Sequence, residues 1–335
     1  MMSESLSNQL NEVSRKVNAI IERVMKTEKE PRMLYAAAQH LMKAGGKRLR
    51  PFLVLKACEL VGGREESALS SAVAVELLHN FTLIHDDIMD RDEKRRGVPT
   101  VHTLWGEPLA ITAGDLLFAK VFEVILRYSD PKYLSPEKII QILKTLSIAT
   151  IAICEGQALD IEFERRENVS EEEYFTMIGG KTASLFKAAA ESGAIVGGGS
   201  PEQIRRLGIY AYNSGLSFQI ADDVLGLTAN EEALGKPVGS DIKEGKKTIL
   251  IVHALKHATL EQRRNILAAM GNRAATSDQI ERVIEIIRSL GSIEYATQKA
   301  VELITVAREQ LNFFPDVPAK RALLELADFL VVRKY

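Results

Sequence analysis

Apolar residues recur every three or four positions along nearly the whole chain. The pattern is clearest in "LSSAVAVELLHNFTLIHDDIMD", "PEKIIQILKTLSIATIAICEGQALDIEFE" and "SDQIERVIEIIRSLGSIEYATQKAVELITVAREQL". That spacing belongs to helices, and the strict alternation of a half-buried strand is nearly absent. Breaks fall at "VGGRE", "RRGVPT", "YSDPKYLSP", "GGGSPEQ" and "GKPVGSDIKEGKK", each rich in Gly, Pro or Ser and short enough to join neighbouring helices. "GGGSPEQ" reads as an inter-helix turn and not a domain linker, because helical spacing resumes at once with Pro201 set for a first helical turn. The expectation is an all-α bundle of about ten helices.

Length alone, 335 residues, would allow two domains, but the unbroken helical patterning favours one large helical domain over 1–335. With 46% hydrophobic and 26% charged residues and a net charge of −2, neither a disordered chain nor a nucleic-acid-binding field is indicated. Cys58 and Cys154 are too few for a disulfide scaffold and lack the paired spacing of a zinc site, which fits a reducing compartment, the cytoplasm. The segment "MMSESLSNQLNEVSRKVNAI" patterns as an amphipathic helix and not as a signal peptide, and no apolar stretch is expected to span a bilayer, so no transmembrane segment is predicted.

Charge changes this picture at "HDDIMDRDEKRRG", where four Asp and one Glu stand beside four Lys or Arg within thirteen residues, directly after an apolar run. Asp86 and Asp90 lie one helical turn apart, where like charges repel unless something cationic joins them. Asp87 stands beside them. A second pair, Asp222 and Asp223 in "FQIADDVLGL", also follows an apolar helical run. Two such clusters at the ends of two helices can face one another across a bundle cavity and hold divalent cations. Ligation by carboxylates alone points to Mg²⁺, with Mn²⁺ as the alternative, and not to zinc. Basic residues stand in "GGKRLRP", "KRRG", "GGKTA" and "GKPVGSDIKEGKKT". Acid, base and metal together suggest a phosphate substrate. Because neither "GxxxxGK[ST]" nor "GxGxxG" is present, a nucleotide lacks its motif.

These segments, with "HDDIMDRDEKRRGVPTVH" and "EGQALD", occur in the order seen in trans-type isoprenyl diphosphate synthases, the polyprenyl synthase family, and the chain resembles that family from about Lys43 to Leu250. The resemblance implies an all-α fold around a deep central cavity, a homodimer, and Mg²⁺-dependent elongation of an allylic diphosphate by isopentenyl diphosphate. It implies that Asp86, Asp90 and Asp222 hold Mg²⁺ on the allylic diphosphate, with outer contacts from Asp87 and Asp223. Arg95, Lys181 and Lys236 complete that clamp, and Lys246 faces it. Lys47, Arg50, His79 and Arg96 match positions that bind the diphosphate of isopentenyl diphosphate without metal. Thr182 and Gln219 match residues beside the transient allylic cation. One departure is Gly226, which stands where the second acidic motif usually ends in Asp, so the second-side metal is expected to lose an outer carboxylate.

Phe81 lies five residues before Asp86, about 7.5 Å back along a helix, and Thr82 follows it. An aromatic there, with no insertion inside "DDIMD", resembles archaeal short-chain synthases. A twenty-carbon product is expected first, geranylgeranyl diphosphate, and farnesyl diphosphate second. Terpene cyclases share the fold, but "DDVLGLTAN" lacks their second metal motif. A non-catalytic synthase subunit would typically lack the acidic motif retained here. Outside these sites, Arg48, Lys247, His253 and His257 are expected to face solvent. Glu76 and His79 form a lone "ExxH", half of what a di-iron bundle needs.

Overall fold

The computed structural model describes residues 3–26, 30–228 and 238–331. Sixteen α-helices occur among them, more than the ten anticipated, because short helices and glycine breaks subdivide the apolar runs. Gly291, at φ 68°, splits the last of these runs into α14 (Ser277–Ser289) and α15 (Ser292–Leu311). The opening segment forms α1 (Glu4–Met25), whose buried Leu6, Leu10, Val13, Val17, Ile21 and Val24 follow the three-four spacing.

α4 (Glu65–Asp90) is a core helix, with every residue from Ser71 to Leu78 buried. It packs against α3 (Leu49–Leu60) and α6 (Glu107–Tyr128), while α9 (Ser184–Gly197) packs against both α3 and α10 (Pro201–Thr228). Pro201 opens α10, as the turn reading of "GGGSPEQ" required. Two apolar clusters result, and both α10 and α15 contribute to each.

Two features were not legible in the periodicity. A two-residue ribbon pairs Lys94 with Pro99 and Arg95 with Val98, turned by Arg96 and Gly97, both at positive φ. A π-helical turn, Gly179–Ala183, links α8 (Glu171–Ile178) to α9. Only the length part of the membrane expectation needs correction: by length and composition α4 and α7 (Pro136–Glu164) could cross a bilayer, a test that core helices also pass. α4 is mostly buried in the core, whereas α7 leaves Ile140, Ile148 and Ile151 exposed.

Candidate active site

α4 ends in the first acidic cluster because Arg91 takes a left-handed conformation and stops the helix after Asp90. Opposite it, α7 carries Asp160, and the π-helical turn carries Lys181. Glycines let these two backbones approach: a Cβ on Gly156 would lie 2.2 Å from the Lys181 amide nitrogen, and one on Gly180 would lie 2.5 Å from the Ala152 carbonyl oxygen. Only glycine permits such an approach. Lys181 Nζ therefore reaches Asp160 Oδ2 at 2.6 Å.

Lys246, from the loop after α11 (Ser240–Glu244), closes the arrangement. Its Nζ donates to Asp90 at 2.9 Å and to Asp160 at 3.0 Å, and lies 2.9 Å from Glu164. Burial tends to raise the Asp160 carboxyl, but Lys181 and Lys246 together hold it below its ordinary value. The Asp86 carboxyl is raised by burial and by neighbouring Asp90, against the pull of Lys181. Asp87 is pushed up to about 6, chiefly by burial, although Arg95 donates to its Oδ1 and also to Asp92. Asp90, Asp160, Lys181, Gln219, Asp241 and Lys246 border a cavity of about 150 Å³.

On the α10 side, Thr182 donates to Gln219 Oε1 at 2.7 Å, and Gln219 donates to Asp223 Oδ1 at 3.0 Å. Tyr174 donates to Asp223 Oδ2 at 2.7 Å. Both Asp223 oxygens are thus engaged, and burial pushes its carboxyl up to about 7. Asp223 serves to fix Gln219, whereas Asp222 precedes it on a half-buried position of the same helix. A Cβ on Gly226 would meet Asp241 Oδ2 at 3.0 Å. The carboxylate missing from position 226 therefore has a neighbour from another segment nearby.

A second cationic cluster is separate. Arg50 lies 3.2 Å from His79 Nε2. Burial, then Arg50 and the other nearby arginines, hold His79 well below its ordinary pKa, so the neutral ring accepts. The Arg50 guanidinium also lies over the Phe186 ring, and Lys47 lies over Phe329. Arg96 donates to the carbonyls of Leu41 and Gly45. The ribbon divides the labour, since Arg95 on its strand reaches Asp87 while Arg96, left-handed in the turn, reaches the α2–α3 loop, where α2 is Arg32–Lys43. Phe81 stacks near Phe118 and His85, at 5.3 and 4.8 Å between ring centres. Thr82 donates to the His79 carbonyl. Lys236 lies outside the described residues.

Three expectations fail. Arg48 and Lys247 are not surface charges: Arg48 is 3% exposed and ion-paired to Glu76 at 2.9 Å, and Lys247 is 4% exposed and donates to Gly245. His253 is half-buried, stacked on Tyr295 and hydrogen-bonded to Ser292, so only His257 faces solvent. Sequence reasoning also passed over Asp160, Glu164, Tyr174 and Asp241. The first two had a signal, since Asp160 and Glu164 are like charges four apart on one helix and need a cation between them.

The donor set fits a hard divalent cation. Every candidate ligand is a carboxylate, and Asp87 Oδ2 is buried without a hydrogen-bond partner. Among the described residues no three acidic, His or Cys side chains converge closely enough to hold a metal alone. That is the usual situation for Mg²⁺, which takes one or two carboxylates and completes its shell with water and substrate phosphate.

The profile of the family described as Polyprenyl synthetase matches residues 31–287. The chain belongs to the polyprenyl synthetase family. This polyprenyl synthetase is 44% identical over 336 residues to the "Geranylgeranyl diphosphate synthase" of Saccharolobus solfataricus, covering 100% of both chains. It is 39% identical to the "Geranylfarnesyl diphosphate synthase" of Natronomonas pharaonis, covering 95% of each. Among solved structures it is similar to a polyprenyl synthase from Caulobacter crescentus complexed with calcium and isoprenyl diphosphate. The TM-score is 0.91 and the identity 33%, covering 100% of this chain and 99% of the other.

Proposed function

We infer that this chain is a short-chain trans-prenyltransferase. It condenses isopentenyl diphosphate with dimethylallyl, geranyl and farnesyl diphosphates to give all-trans geranylgeranyl diphosphate. The observation that carries the reading is the pairing of an acidic cluster, bridged by Lys181 and Lys246 between the ends of α4 and α7, with a second cluster of arginine and histidine that includes no carboxylate ligand set. Two diphosphates of different chemical fate need two such sites. Farnesyl diphosphate is the alternative main product.

The first cluster takes the allylic diphosphate. Asp86, Asp90 and Asp222 would hold Mg²⁺, which would supply neutralising charge to the departing diphosphate. Arg95, Lys181, Lys236 and Lys246 hold the diphosphate oxygens as the allylic C–O bond ionises, and their positive charge stabilises the leaving group. Thr182 and Gln219, locked to each other and to Asp223, present oxygens to the carbocation without an ionised nucleophile. Lys47, Arg50, His79 and Arg96 hold the second diphosphate so that its double bond meets the cation. A released diphosphate oxygen is near enough to take the proton lost afterwards, so no side chain need act as base.

The exposed Ile140, Ile148 and Ile151 lie on one face of α7, an apolar surface that supports a homodimer. The family, with two free cysteines, one buried and one exposed, supports a cytoplasmic enzyme, one catalytic unit over 1–335. The deciding experiment incubates the purified chain with labelled isopentenyl diphosphate and each allylic primer in turn, then measures product chain length. Twenty-carbon product from all three primers supports the reading. Release of a cyclic hydrocarbon without isopentenyl diphosphate, or no turnover by the chain alone, overturns it.

A further inference from the structure

We propose that the buried Arg48–Glu76 pair is a positioning device for the isopentenyl diphosphate site, a role that rests on the assignment of Lys47, Arg50, His79 and Arg96 to that site. Arg48 caps the start of α3 in a left-handed conformation, φ 49°, which a side chain other than glycine adopts only when its surroundings impose it. The imposition is visible. Its guanidinium donates to Asn18 Oδ1 at 3.0 Å, the Gly45 carbonyl at 3.2 Å, the Met42 carbonyl at 2.8 Å and Glu76 Oε1 at 2.9 Å. One side chain thus ties α1, the end of α2, the loop before α3 and the middle of α4 together.

Two consequences reach the site. Glu76 lies one helical turn before His79, and Arg50 lies two residues after Arg48, so the pair fixes the approach of α3 to α4 at which Arg50 meets His79. The Gly45 carbonyl accepts from both Arg48 and Arg96, so the same loop seats Arg96 as well. Space there is tight: a Cβ on Gly46 would lie 2.9 Å from an Arg48 nitrogen and 3.1 Å from Arg96.

Charge supplies the second part of the role. A site for a metal-free diphosphate must hold several cations together before the anion arrives. Arg48, Arg50, Arg95 and Arg96 all bear on His79. Glu76, 2% exposed, is the carboxylate paired with this crowd: it binds Arg48 and opposes the burial that holds Arg96 below its ordinary pKa. Asn80 donates to the same Glu76 oxygen at 3.0 Å and keeps it in place. The pair therefore sets both the geometry and the electrostatic balance of the second site without touching substrate.

Glu76→Gln keeps the volume and the acceptor but removes the charge, and Arg48→Lys keeps the charge but loses the fork. Steady-state kinetics should show KM for isopentenyl diphosphate raised about tenfold or more in each, with KM for the allylic primer and kcat changed by less than about threefold. Glu76→Asp, which restores the charge, should recover part of the loss. Titration of isopentenyl diphosphate into the enzyme in EDTA should show the same weakening. Folded variants with unaltered KM, or with equal defects toward both substrates, would overturn the proposal. Should Glu76→Gln fail to fold, Asn18→Ala decides, since it frees Arg48 Nε without stranding a charge: a smaller rise in the same KM supports the device, and no rise overturns it. Arg50→Ala separates the two levels. If Arg50→Ala leaves that KM unaltered, the site assignment falls and the pair's role with it. If Arg50→Ala raises it while Glu76→Gln and Arg48→Lys do not, only the pair's role falls.

Discussion

Lys246 Nζ lies 2.9 Å from Asp90 Oδ1, joining the end of α4 to a loop 156 residues later in the chain. The same ammonium lies among Asp160 and Glu164, so it already balances carboxylates that a divalent cation would otherwise meet uncompensated. Removing it as Lys246→Met should tighten Mg²⁺ binding to the free enzyme while slowing turnover, because the lysine that opposes the metal in the empty site assists the leaving diphosphate in the occupied one. Calorimetry in parallel with steady-state rates checks the two opposite signs; weaker Mg²⁺ binding would contradict the proposed competition.

Chelation should abolish condensation and Mg²⁺ restore it. Asp86→Ala or Asp222→Ala should lower kcat by about three orders of magnitude, the scale expected when charge stabilisation of a leaving group is lost. Rates near those of the unaltered enzyme in either variant would remove that residue from the metal site.

Asp241 stands beside the gap left by Gly226, with its Oδ2 3.0 Å from where a Cβ would begin. Asp241→Asn should therefore weaken Mg²⁺ activation, raising the concentration for half-maximal rate about tenfold, whereas Gly226→Ala, which only crowds Asp241, should do so less. Equal activation curves for Asp241→Asn and the unaltered enzyme would show that the second acidic cluster works without it.

Gly156 and Gly180 set the crossing that brings Lys181 to Asp160. Gly180→Ala places a methyl against the Ala152 carbonyl and should destabilise the fold by about 1–3 kcal/mol. It should also slow ionisation more than it weakens binding of isopentenyl diphosphate. Denaturant titration and substrate-resolved kinetics test both halves.

The protonation of Asp223 gives stability in the metal-free enzyme a definite slope. Its carboxyl stands at about 7 against an ordinary 3.8, so the folded state keeps a proton that the unfolded chain releases. The stabilisation is complete below about pH 4 and is lost as the pH rises to about 7. Thermal unfolding in EDTA should show Asp223→Asn flattening this decline, and an unchanged slope would contradict the assignment.

Phe81 meets Phe118 and His85 in the structure. If it forms the floor for the growing tail, Phe81→Ala lengthens the product while leaving the first condensation rate nearly intact, and Thr82→Phe shortens it. Chromatography of the product ladder settles the matter, since an unaltered ladder for both variants places the floor elsewhere.

The helical class, the turn before Pro201 and both acidic clusters could be read from the sequence because each leaves a local signature: a period, a breaker, or like charges side by side. Asp241 and Tyr174 had none, for what defines them is a partner brought near by the fold, Gly226 in one case and Asp223 in the other. Arg48 was misread for a related reason. A charged residue in a glycine-rich loop looks solvated until the helices around it are packed, and only then is Glu76 at hand to make its burial tolerable.

The ribbon turned by Arg96 and Gly97 has a consequence for how such a chain tolerates insertion. Arg95 ends its strand, whereas Arg96 stands in the turn at φ 54°, and that change of backbone conformation between neighbours aims one arginine at Asp87 and the other at the α2–α3 loop. One extra residue inside the turn would relax the left-handed position and leave the Gly45 carbonyl without its second donor. The tightness of a two-residue turn is thus a fork with no slack, indifferent to many side-chain changes on the ribbon and intolerant of added length.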